Sequence, residues 1–266
     1  MESNNSGQDI KEQYKTAEKL NARSRLHSYN INKTDWNNWC FNKMEIPHKA
    51  RILELGCGTG DFWYKNIHYL KNDWDIILSD FSKGMLENTK NRLEKSDFNF
   101  KYEEIDAQEI PYENEYFDVI IARHMLYLVP DIEKALLEIK RVMTEGGTFY
   151  ATTNAHDSMA ELNKLVEEFD PKLELNNNGM GDRFDMGGGY QLLKKYFGKV
   201  KMDVLQGKII VNDADPIVAY KASTIKGSSL LIGDKKQQFA KFVEDYIKKN
   251  GSISITTKSC IFKAEK

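Results

Sequence analysis

From residue 50 onward, short apolar runs alternate with helical patterns along the chain. The runs RILELG, WDIILSD and YFDVIIARH are each followed by a stretch with helical spacing, and the strand-like TFYATT follows the helical DIEKALLEIKRVM. Strands that alternate with helices in this way are joined by right-handed crossovers, which gives a parallel sheet with helices on both faces. The pattern therefore predicts an α/β fold with a doubly wound sheet.

Length and composition are those of a soluble globular protein. The chain has 266 residues, of which 41% are hydrophobic and 29% are charged. Its apolar runs are much shorter than the roughly 18 to 20 residues of a membrane-spanning helix. The N-terminal MESNNSGQDIKEQYK is polar and lacks the apolar core of a secretory signal. We therefore expect a cytoplasmic protein with no membrane association.

Charge and metal-ligating residues limit the expected partners and cofactors. The formal net charge is -2 and no block of Lys and Arg dominates, so we expect no nucleic-acid partner. Cys40, Cys57 and Cys260 are odd in number and widely spaced, which is typical of reduced thiols rather than of a disulfide framework. The five histidines are scattered, and no metal ion is expected.

Two segments flank or interrupt the strand and helix alternation. Residues 1–45 combine helical spacing with three large aromatic residues, and we interpret them as a helical lid packed on the core. Residues 46–266 form the main domain. Within it, residues 156–190 hold one helical stretch and a long loop rich in Gly and Asn, and loops of that length are usually functional. We interpret this segment as a binding insertion after the fifth strand.

The C-terminal part predicts further elements of both kinds. Helical spacing occurs in GGYQLLKKYF, around Pro216 to Tyr220 and in KKQQFAKFVEDYIKK, with a Gly/Ser linker between the last two. Strand-like stretches occur in KVKMDVLQ, KIIVND and SISITTKSCIFKAE. These strands extend the predicted sheet.

Three glycines follow the first predicted strand directly. Gly56, Gly58 and Gly60 allow unusual backbone dihedral angles, and without a Cβ they let backbone N–H groups approach a ligand. Ligands of doubly wound sheets bind at the carboxyl ends of the strands, beside the first strand. The following helix offers its positive end to an anionic group. A tight turn without a ligand would also explain a glycine loop.

Two carboxylates refine this ligand hypothesis. Asp80 ends the second strand, 20 residues after Gly60, where a carboxylate accepts hydrogen bonds from both ribose hydroxyls. Its alternative role is a helix N-cap, although Ser82 already fills that position. Asp61 stands where the dinucleotide fingerprint has its third glycine, and its charge would repel a pyrophosphate. The loop therefore disfavours NAD and favours a nucleoside with a cationic or zwitterionic arm.

The combination of motifs resembles class I S-adenosylmethionine-dependent methyltransferases of the small-molecule type, also called methyltransferase domain 11 or 25. The resemblance covers residues 50–153, through LELGCGTG, LSDFSKGML, IDAQEIPYENEYFDVI and EIKRVMTEGG. It implies a mostly parallel seven-stranded Rossmann-like sheet, with S-adenosylmethionine as cofactor and S-adenosylhomocysteine as product.

The resemblance also implies roles for individual residues toward the cofactor. Phe81 and Met85 would flank the adenine, Asp106 and Ala107 would meet its amino edge, and Asp80 would take the ribose. Phe81 and Met85 are alternatively core residues, and Asp106 is alternatively a solvated loop carboxylate. The methionine and ribose side would be lined by Glu54, Gly56, Cys57, Gly58 and Gly60.

Candidates for the chemistry follow the fourth strand. His124 is the candidate general base and Tyr127 a candidate pocket wall, while Arg123 is a candidate partner of the methionine portion. His124 could instead hydrogen-bond the cofactor or cap a strand, and Arg123 and Tyr127 are alternatively structural. This segment lacks the (Asp/Asn)-Pro-Pro-(Tyr/Phe) motif of enzymes that methylate exocyclic amines of bases, which favours a small-molecule acceptor.

The predicted lid and the predicted insertion supply further candidates. On the lid, Tyr14 and Arg23 are candidates for the cofactor and His27 for the acceptor, although a solvated helix arginine is an equal alternative. Candidate acceptor contacts after the fifth strand are Asn154, His156, Met180 and Phe184.

We therefore predict methyl transfer from S-adenosylmethionine to an O, N or C nucleophile of a small-molecule acceptor, by a monomer or homodimer. A protein that binds the cofactor without turnover, acting as a sensor or partner subunit, is the alternative. A NAD-dependent dehydrogenase is disfavoured by Asp61 and by the later motifs.

Overall fold

The computed structural model describes residues 18–173 and 183–266. Within these ranges, seven strands form one sheet in the order β3-β2-β1-β4-β5-β7-β6. The first five strands pair in parallel, whereas β7 runs antiparallel to both β5 and β6. The strands are β1 (Arg51–Leu55), β2 (Asp75–Asp80), β3 (Lys101–Glu104), β4 (Phe117–Arg123), β5 (Met143–Asn154), β6 (Lys199–Val211) and β7 (Ile253–Glu265).

The sheet confirms the predicted mostly parallel, doubly wound fold. The chain proceeds from β1 outward to β3 and then crosses back to β4 on the other side of β1. The carboxyl ends of β1 and β4 therefore flank the topological switch point, where ligands bind in folds of this class.

Helices cover both faces of the sheet, as predicted. Two neighbouring residues of β1 point to opposite faces of the sheet. Ile52 packs in one buried cluster with Cys40 and Phe62, and Leu53 packs in another with Leu136 and Leu193. The helices are α1 (Glu18–His27), α2 (Trp36–Asn42), α3 (Asp61–Asn66), α4 (Lys83–Leu93), α5 (Ile132–Val142), α6 (Ala160–Phe169), α7 (Met186–Tyr196), α8 (Ala214–Ala222), α9 (Ile225–Leu230) and α10 (Gly233–Asn250).

The β6–β7 ribbon extends beyond the rest of the sheet. β7 pairs with β5 only over residues 259–265, whereas residues 253–258 pair with β6 alone. The extension rests on a third buried cluster, to which α6, α8 and α10 contribute. The ribbon therefore projects past the carboxyl end of β5 and adds a wall at that edge of the sheet.

The N-terminal segment is joined to this extension. Leu26 of α1 is fully buried in the third cluster. After the helix, Ile31 N donates a hydrogen bond of 2.9 Å to the Lys208 carbonyl, and Asn32 Nδ2 donates one of 2.8 Å to the Gln206 carbonyl. The predicted lid thus docks on β6 by backbone pairing as well as by apolar contact.

Two elements differ from the sequence-based expectation. The predicted Gly/Ser linker is the helix α9, which is capped by Thr224 through its bond from Gly227 N. The two strand-like stretches on either side of Gly207 form the single strand β6. A Cβ at Gly207 would clash with Asn30 Nδ2, so this glycine permits the close approach of the N-terminal segment.

Candidate active site

The glycine loop lies between β1 and α3, at the switch point. Gly56, Gly58 and Gly60 adopt φ values of 72°, 61° and 73°, in the left-handed region that favours glycine. A Cβ at Gly60 would lie 2.9 Å from Thr89 Cγ2. Gly56 and Gly58 line a cavity of about 890 Å³, whereas Gly60 lies behind it against α4. The loop therefore exposes backbone to the cavity at two of the three predicted positions.

Asp80 joins the end of β2 to the glycine loop. Its carboxylate accepts hydrogen bonds of 2.9 Å from Gly58 N and from Ser82 N, and it lines the cavity. Ser82 itself caps α4 by accepting from Met85 N, as predicted. Burial raises the pKa of Asp80 to about 6 against the opposing effect of these backbone hydrogen bonds. Asp80 is thus a cavity carboxylate, and Ser82 supplies the helix cap.

The residues predicted for the adenine divide into cavity and core. Phe81 is 39% exposed and lines the cavity, as do Asp106 and Ala107. The Asp106 carboxylate accepts hydrogen bonds from the backbone N and the side-chain Nε2 of Gln108. Met85 is 1% exposed and does not line the cavity, because it lies on the buried face of α4. The expectation that Met85 flanks the adenine is therefore not met.

Glu54 lies beneath the cavity rather than in it. Its side chain is fully buried, and its carboxylate accepts hydrogen bonds from Trp63 Nε1 and, at 2.9 Å, from Arg123 Nε. Arg123 also donates to Asn37 Oδ1 at 2.9 Å, stacks 4.1 Å above the Phe62 ring and lines the cavity. Glu54 thus does not line the cavity, contrary to the expectation that it contacts the cofactor. Its ion pair instead holds the Arg123 side chain in the cavity wall.

Cys57 lines the cavity as a protonated thiol. It is 3% exposed, and burial raises its pKa well above the ordinary value, while Asp80 and Glu54 nearby add to the effect. Its Sγ lies 3.6 Å from Thr89 Oγ1. A thiol that stays protonated is a poor nucleophile, so the loop cysteine serves as a packing residue.

His124 and Tyr127 line the cavity directly after β4. His124 has a φ of 50°, and its backbone N donates to the Thr152 carbonyl and to Thr152 Oγ1, both at 3.1 Å. Its ring centroid lies 5.4 Å from that of Trp36. Burial lowers the pKa of His124 to about 3, and the charge of Arg123 acts in the same direction. The imidazole is therefore neutral and only weakly basic.

Residues from the N-terminal helix and from β5 complete the predicted set. Arg23 and His27 of α1 line the cavity, and the His27 ring makes an edge contact with Tyr220 at a centroid distance of 6.2 Å. Burial lowers the pKa of His27, with Arg23 as the second cause. Asn154, at the end of β5, also lines the cavity and accepts a hydrogen bond of 2.6 Å from Ser259 Oγ.

Two candidates from the predicted insertion lie away from the cavity. His156 is exposed outside it. Phe184 is fully buried and packs edge-on against Phe262, at 5.9 Å between ring centroids, because it belongs to the core cluster beneath α5 and α7. Neither lines the cavity, contrary to the expectation for both. Tyr14 and Met180 lie outside the described residues.

Sequence reasoning missed the cavity residues that come from the ribbon and the N-terminal segment. On the ribbon, Ser259 lies opposite the predicted Asn154 of β5 and opposite Leu205 of β6, and Thr257 lies opposite Gly207. Thr257 and Ser259 share the strand face of Ile253 and Ile255, so only the break in the alternation of apolar and polar residues at Thr257 could have pointed to them. The missed lining residues include Trp36, Gln206, Tyr220, Thr257 and Ser259.

Comparison with known proteins decides the family. A family model described as a methyltransferase domain matches residues 46–222. The chain belongs to this methyltransferase family. It is a class I S-adenosylmethionine-dependent methyltransferase, which confirms the resemblance of the motifs and decides against the dehydrogenase alternative.

Curated relatives of this methyltransferase include proteins named ubiquinone/menaquinone biosynthesis C-methyltransferase UbiE. The one from Francisella tularensis subsp. novicida (strain U112) is 29% identical over 158 residues, which cover 59% of this chain and 63% of the relative. The one from Proteus mirabilis is 25% identical over 158 residues, covering 59% and 62%. The methyltransferase thus aligns with less than two thirds of the length of these relatives.

Solved structures share the fold of this methyltransferase. A putative methyltransferase from Bacillus halodurans superposes with a TM-score of 0.60 at 15% identity, covering 86% of this chain and 97% of that one. A putative sarcosine dimethylglycine methyltransferase from Galdieria sulphuraria gives 0.53 at 17% identity, covering 86% and 84%. At these identities the likeness concerns the fold alone.

Two further observations concern membranes and metals. Across residues 18–173 and 183–266, no helix has both the length and the apolar character needed to span a bilayer. In the same ranges, no three side chains of His, Cys, Asp or Glu are grouped as ligands of a metal ion.

Proposed function

We propose that this methyltransferase transfers a methyl group from S-adenosylmethionine to an O, N or C nucleophile of a small-molecule acceptor. The observation that carries the proposal is one continuous cavity, which joins the glycine loop and Asp80 to His124 and Asn154. Its volume of about 890 Å³ lies in the upper part of the range of small-molecule sites, about 300 to 1,000 Å³. The cavity thus has room for a cofactor and a small acceptor side by side.

The chemistry of the lining residues fits the cofactor. The Asp80 and Asp106 carboxylates would accept hydrogen bonds from the ribose hydroxyls and the adenine amino group, respectively. Phe81 would stack on the purine, and the open backbone at Gly58 would let the ligand approach. When bound, the cofactor supplies an electrophilic methyl group on a sulfonium sulfur.

The protein's contribution to catalysis is proposed to be orientation and exclusion of water. Holding two reactants in line within a dry cavity supplies a large part of the rate of a displacement reaction. Trp36, Tyr127 and the neutral His124 ring form the wall beside which the acceptor would lie. A general base works best with a pKa near the working pH, so a pKa of about 3 favours His124 as a hydrogen-bonding wall residue.

The names of the curated relatives make carbon one candidate for the methylated atom. The lining residues do not select among carbon, oxygen and nitrogen by a dedicated motif, so all three stay within the proposal. The cofactor-binding protein without turnover is not favoured, because His124 and Tyr127 both face the cavity.

The experiment has two stages. Isothermal titration calorimetry with S-adenosylhomocysteine tests the cofactor half, and a ligand that binds only the folded state should also raise the melting temperature. Formation of S-adenosylhomocysteine from S-adenosylmethionine, measured over a broad panel of phenols, carboxylic acids, amines and activated carbon acids, tests transfer. Absence of binding heat and of a thermal shift at millimolar ligand would overturn the proposal. Binding without transfer to any acceptor would instead support the protein without turnover.

A further inference from the structure

The acceptor end of the cavity has a wall of neutral hydrogen-bonding groups. The wall comes from two antiparallel strands, with the Asn154 amide on β5 and the Ser259 and Thr257 hydroxyls on β7. We call these three residues the polar wall. The cavity lining also includes His27 of α1 and Tyr220 of α8, whose rings make a T-shaped contact.

Hydrogen bonding within the polar wall leaves groups available for a ligand. Ser259 Oγ donates to Asn154 Oδ1 at 2.6 Å, which uses the amide oxygen. Among the described residues, Asn154 Nδ2 and Thr257 Oγ1 have no hydrogen-bond partner, and both residues line the cavity. An amide nitrogen is a donor, and a hydroxyl both donates and accepts. The polar wall therefore fits a ligand that carries oxygen atoms.

The charges around the cavity disfavour a cationic ligand at this end. In the described part of the lining, two of the carboxylates, Asp35 and Asp61, are ion-paired with Lys65 and Arg92. The other two, Asp80 and Asp106, lie with the cofactor half, at and beyond the ends of β2 and β3. Arg23 lies beside His27, where its charge opposes protonation of the imidazole. Among the described residues, an ammonium group at this end would thus have no carboxylate to pair with.

We propose that the acceptor is a small oxygen-bearing molecule, neutral or anionic, whose hydroxyl, carbonyl or carboxylate group hydrogen-bonds to the polar wall of Asn154, Thr257 and Ser259. This inference rests on the proposed function, because it names the substrate class of the same site. It places acceptor recognition on β5 and β7 and not on residues 156–190, and it disfavours amines as acceptors.

The test compares four monosubstituted benzenes of similar size, whose rings carry no hydroxyl common to every probe. The probes are phenylacetate, 2-phenylethanol, 2-phenylethylamine and propylbenzene, whose side chains end in a carboxylate, a hydroxyl, an ammonium and a methyl group. Binding to the protein saturated with S-adenosylhomocysteine is measured by saturation-transfer NMR titration. We expect 2-phenylethanol and phenylacetate to bind more tightly than 2-phenylethylamine and propylbenzene.

Variants connect this preference to the polar wall. Asn154→Leu and Thr257→Val keep the side-chain size and remove a hydrogen-bonding group, so each should weaken the binding of 2-phenylethanol about 2- to 13-fold and leave the binding of propylbenzene unchanged. Ser254 lies on β7, as Thr257 does, but its side chain is exposed outside the cavity. Ser254→Ala is therefore the matched control and should leave the binding of both probes unchanged. Because Asn154 and Thr257 are tested separately, the inference can still be tested if one of the two variants fails to fold.

The outcomes separate this inference from the proposed function. If S-adenosylhomocysteine does not bind in the calorimeter, the proposed function fails, and this inference fails with it. If it binds but 2-phenylethylamine is the preferred probe, or no probe binds at millimolar concentration, or both wall variants bind 2-phenylethanol as the wild type does, only the inference is overturned.

Discussion

The two ends of the sheet's carboxyl edge are constructed differently. At the ends of β1 and β2, charged groups are engaged by the protein itself, with Glu54 bound to Arg123 and Asp80 bound to the backbone of Gly58. At the β5–β7–β6 end, neutral side chains such as Asn154 and Thr257 face the cavity with hydrogen-bonding capacity to spare. The first end is preorganised by ionic contacts, whereas the second offers donors and acceptors to a ligand.

The largest effect should come from the buried ion pair that supports the cofactor end. Glu54→Ala removes the carboxylate from Arg123, whose side chain is 11% exposed, and leaves a buried charge without its partner. Breaking such a pair costs about 3 to 5 kcal/mol of unfolding free energy. Urea denaturation followed by circular dichroism measures this loss.

The exposed pair Lys241–Asp245 on α10 supplies the control for Glu54→Ala. Its partners lie four residues apart on the helix surface, where solvent screens the pair, so Asp245→Ala should leave the free energy of unfolding close to the wild-type value. A cost for Glu54→Ala below about 1 kcal/mol would contradict the idea that ionic preorganisation distinguishes the cofactor end.

The next largest effect should be on cofactor affinity. Asp80→Ala removes a carboxylate that would accept hydrogen bonds from the ribose, and bonds to a charged group contribute about 1.5 to 3 kcal/mol. We expect the dissociation constant of S-adenosylhomocysteine to rise about 10- to 150-fold in calorimetry at neutral pH. Asp97→Ala, an exposed carboxylate after α4, is the control and should leave affinity unchanged. An unchanged constant in Asp80→Ala would make Asp80 a clamp of the glycine loop only.

The same carboxylate predicts a pH dependence of binding. Because burial raises the pKa of Asp80 to about 6, the free protein takes up a proton there as the pH falls through about 6. A protonated carboxyl accepts fewer hydrogen bonds, so affinity for S-adenosylhomocysteine should fall below pH 6 and be constant above it. Calorimetry from pH 5 to 8 should show this slope in the wild type and a flat profile in Asp80→Ala. Identical slopes in both proteins would assign the dependence to another group.

The contrast between the two ends also explains what the sequence could predict. Gly56, Gly58 and Asp80 were predicted in the cavity because the loop and the end of the next strand are local motifs, whose placement follows from the order of β1 and β2. Ser82 was likewise predicted as the α4 cap from its position. Local sequence patterns thus describe the cofactor half and most of the fold.

Local sequence patterns do not predict side-chain burial or strand register. Whether Glu54 and Met85 face the cavity or the core depends on neighbouring helices, which no local motif encodes. Thr257 lies in the cavity because β6 and β7 pair across three intervening helices, a long-range contact. His156 misses the cavity because residues 155–159 turn onto β7, with Met159 N donating to the Thr256 carbonyl.

The N-terminal helix α1 lines the cavity through both Leu20 and His27. Its hydrogen exchange therefore shows whether cofactor binding orders one part of the helix or all of it. Leu26 is buried and Ile31 N is bound to β6, so amides near them should exchange slowly with or without ligand. The first turns of α1, residues 18–23, should gain about tenfold protection when S-adenosylhomocysteine is added, because that part faces the glycine loop. Hydrogen exchange read by mass spectrometry distinguishes the two parts. Equal protection of residues 18–23 in both states would make the helix a fixed wall rather than a lid.

The smallest effect should come from His124, which lies between the two ends. Because burial lowers its pKa to about 3, its ring should show no titration between pH 5 and 9 in NMR spectra of histidine-labelled protein. His124→Asn is the suitable variant, since asparagine tolerates the left-handed backbone at φ 50° better than most other non-glycine residues do, and its missing resonance assigns the His124 signal. Loss of a general base slows a reaction about 10²- to 10⁴-fold, whereas loss of a hydrogen-bonding wall residue should slow methyl transfer less than about 13-fold. A larger loss in His124→Asn, together with a titration near neutral pH in the wild type, would restore His124 as the base that removes a proton from the acceptor.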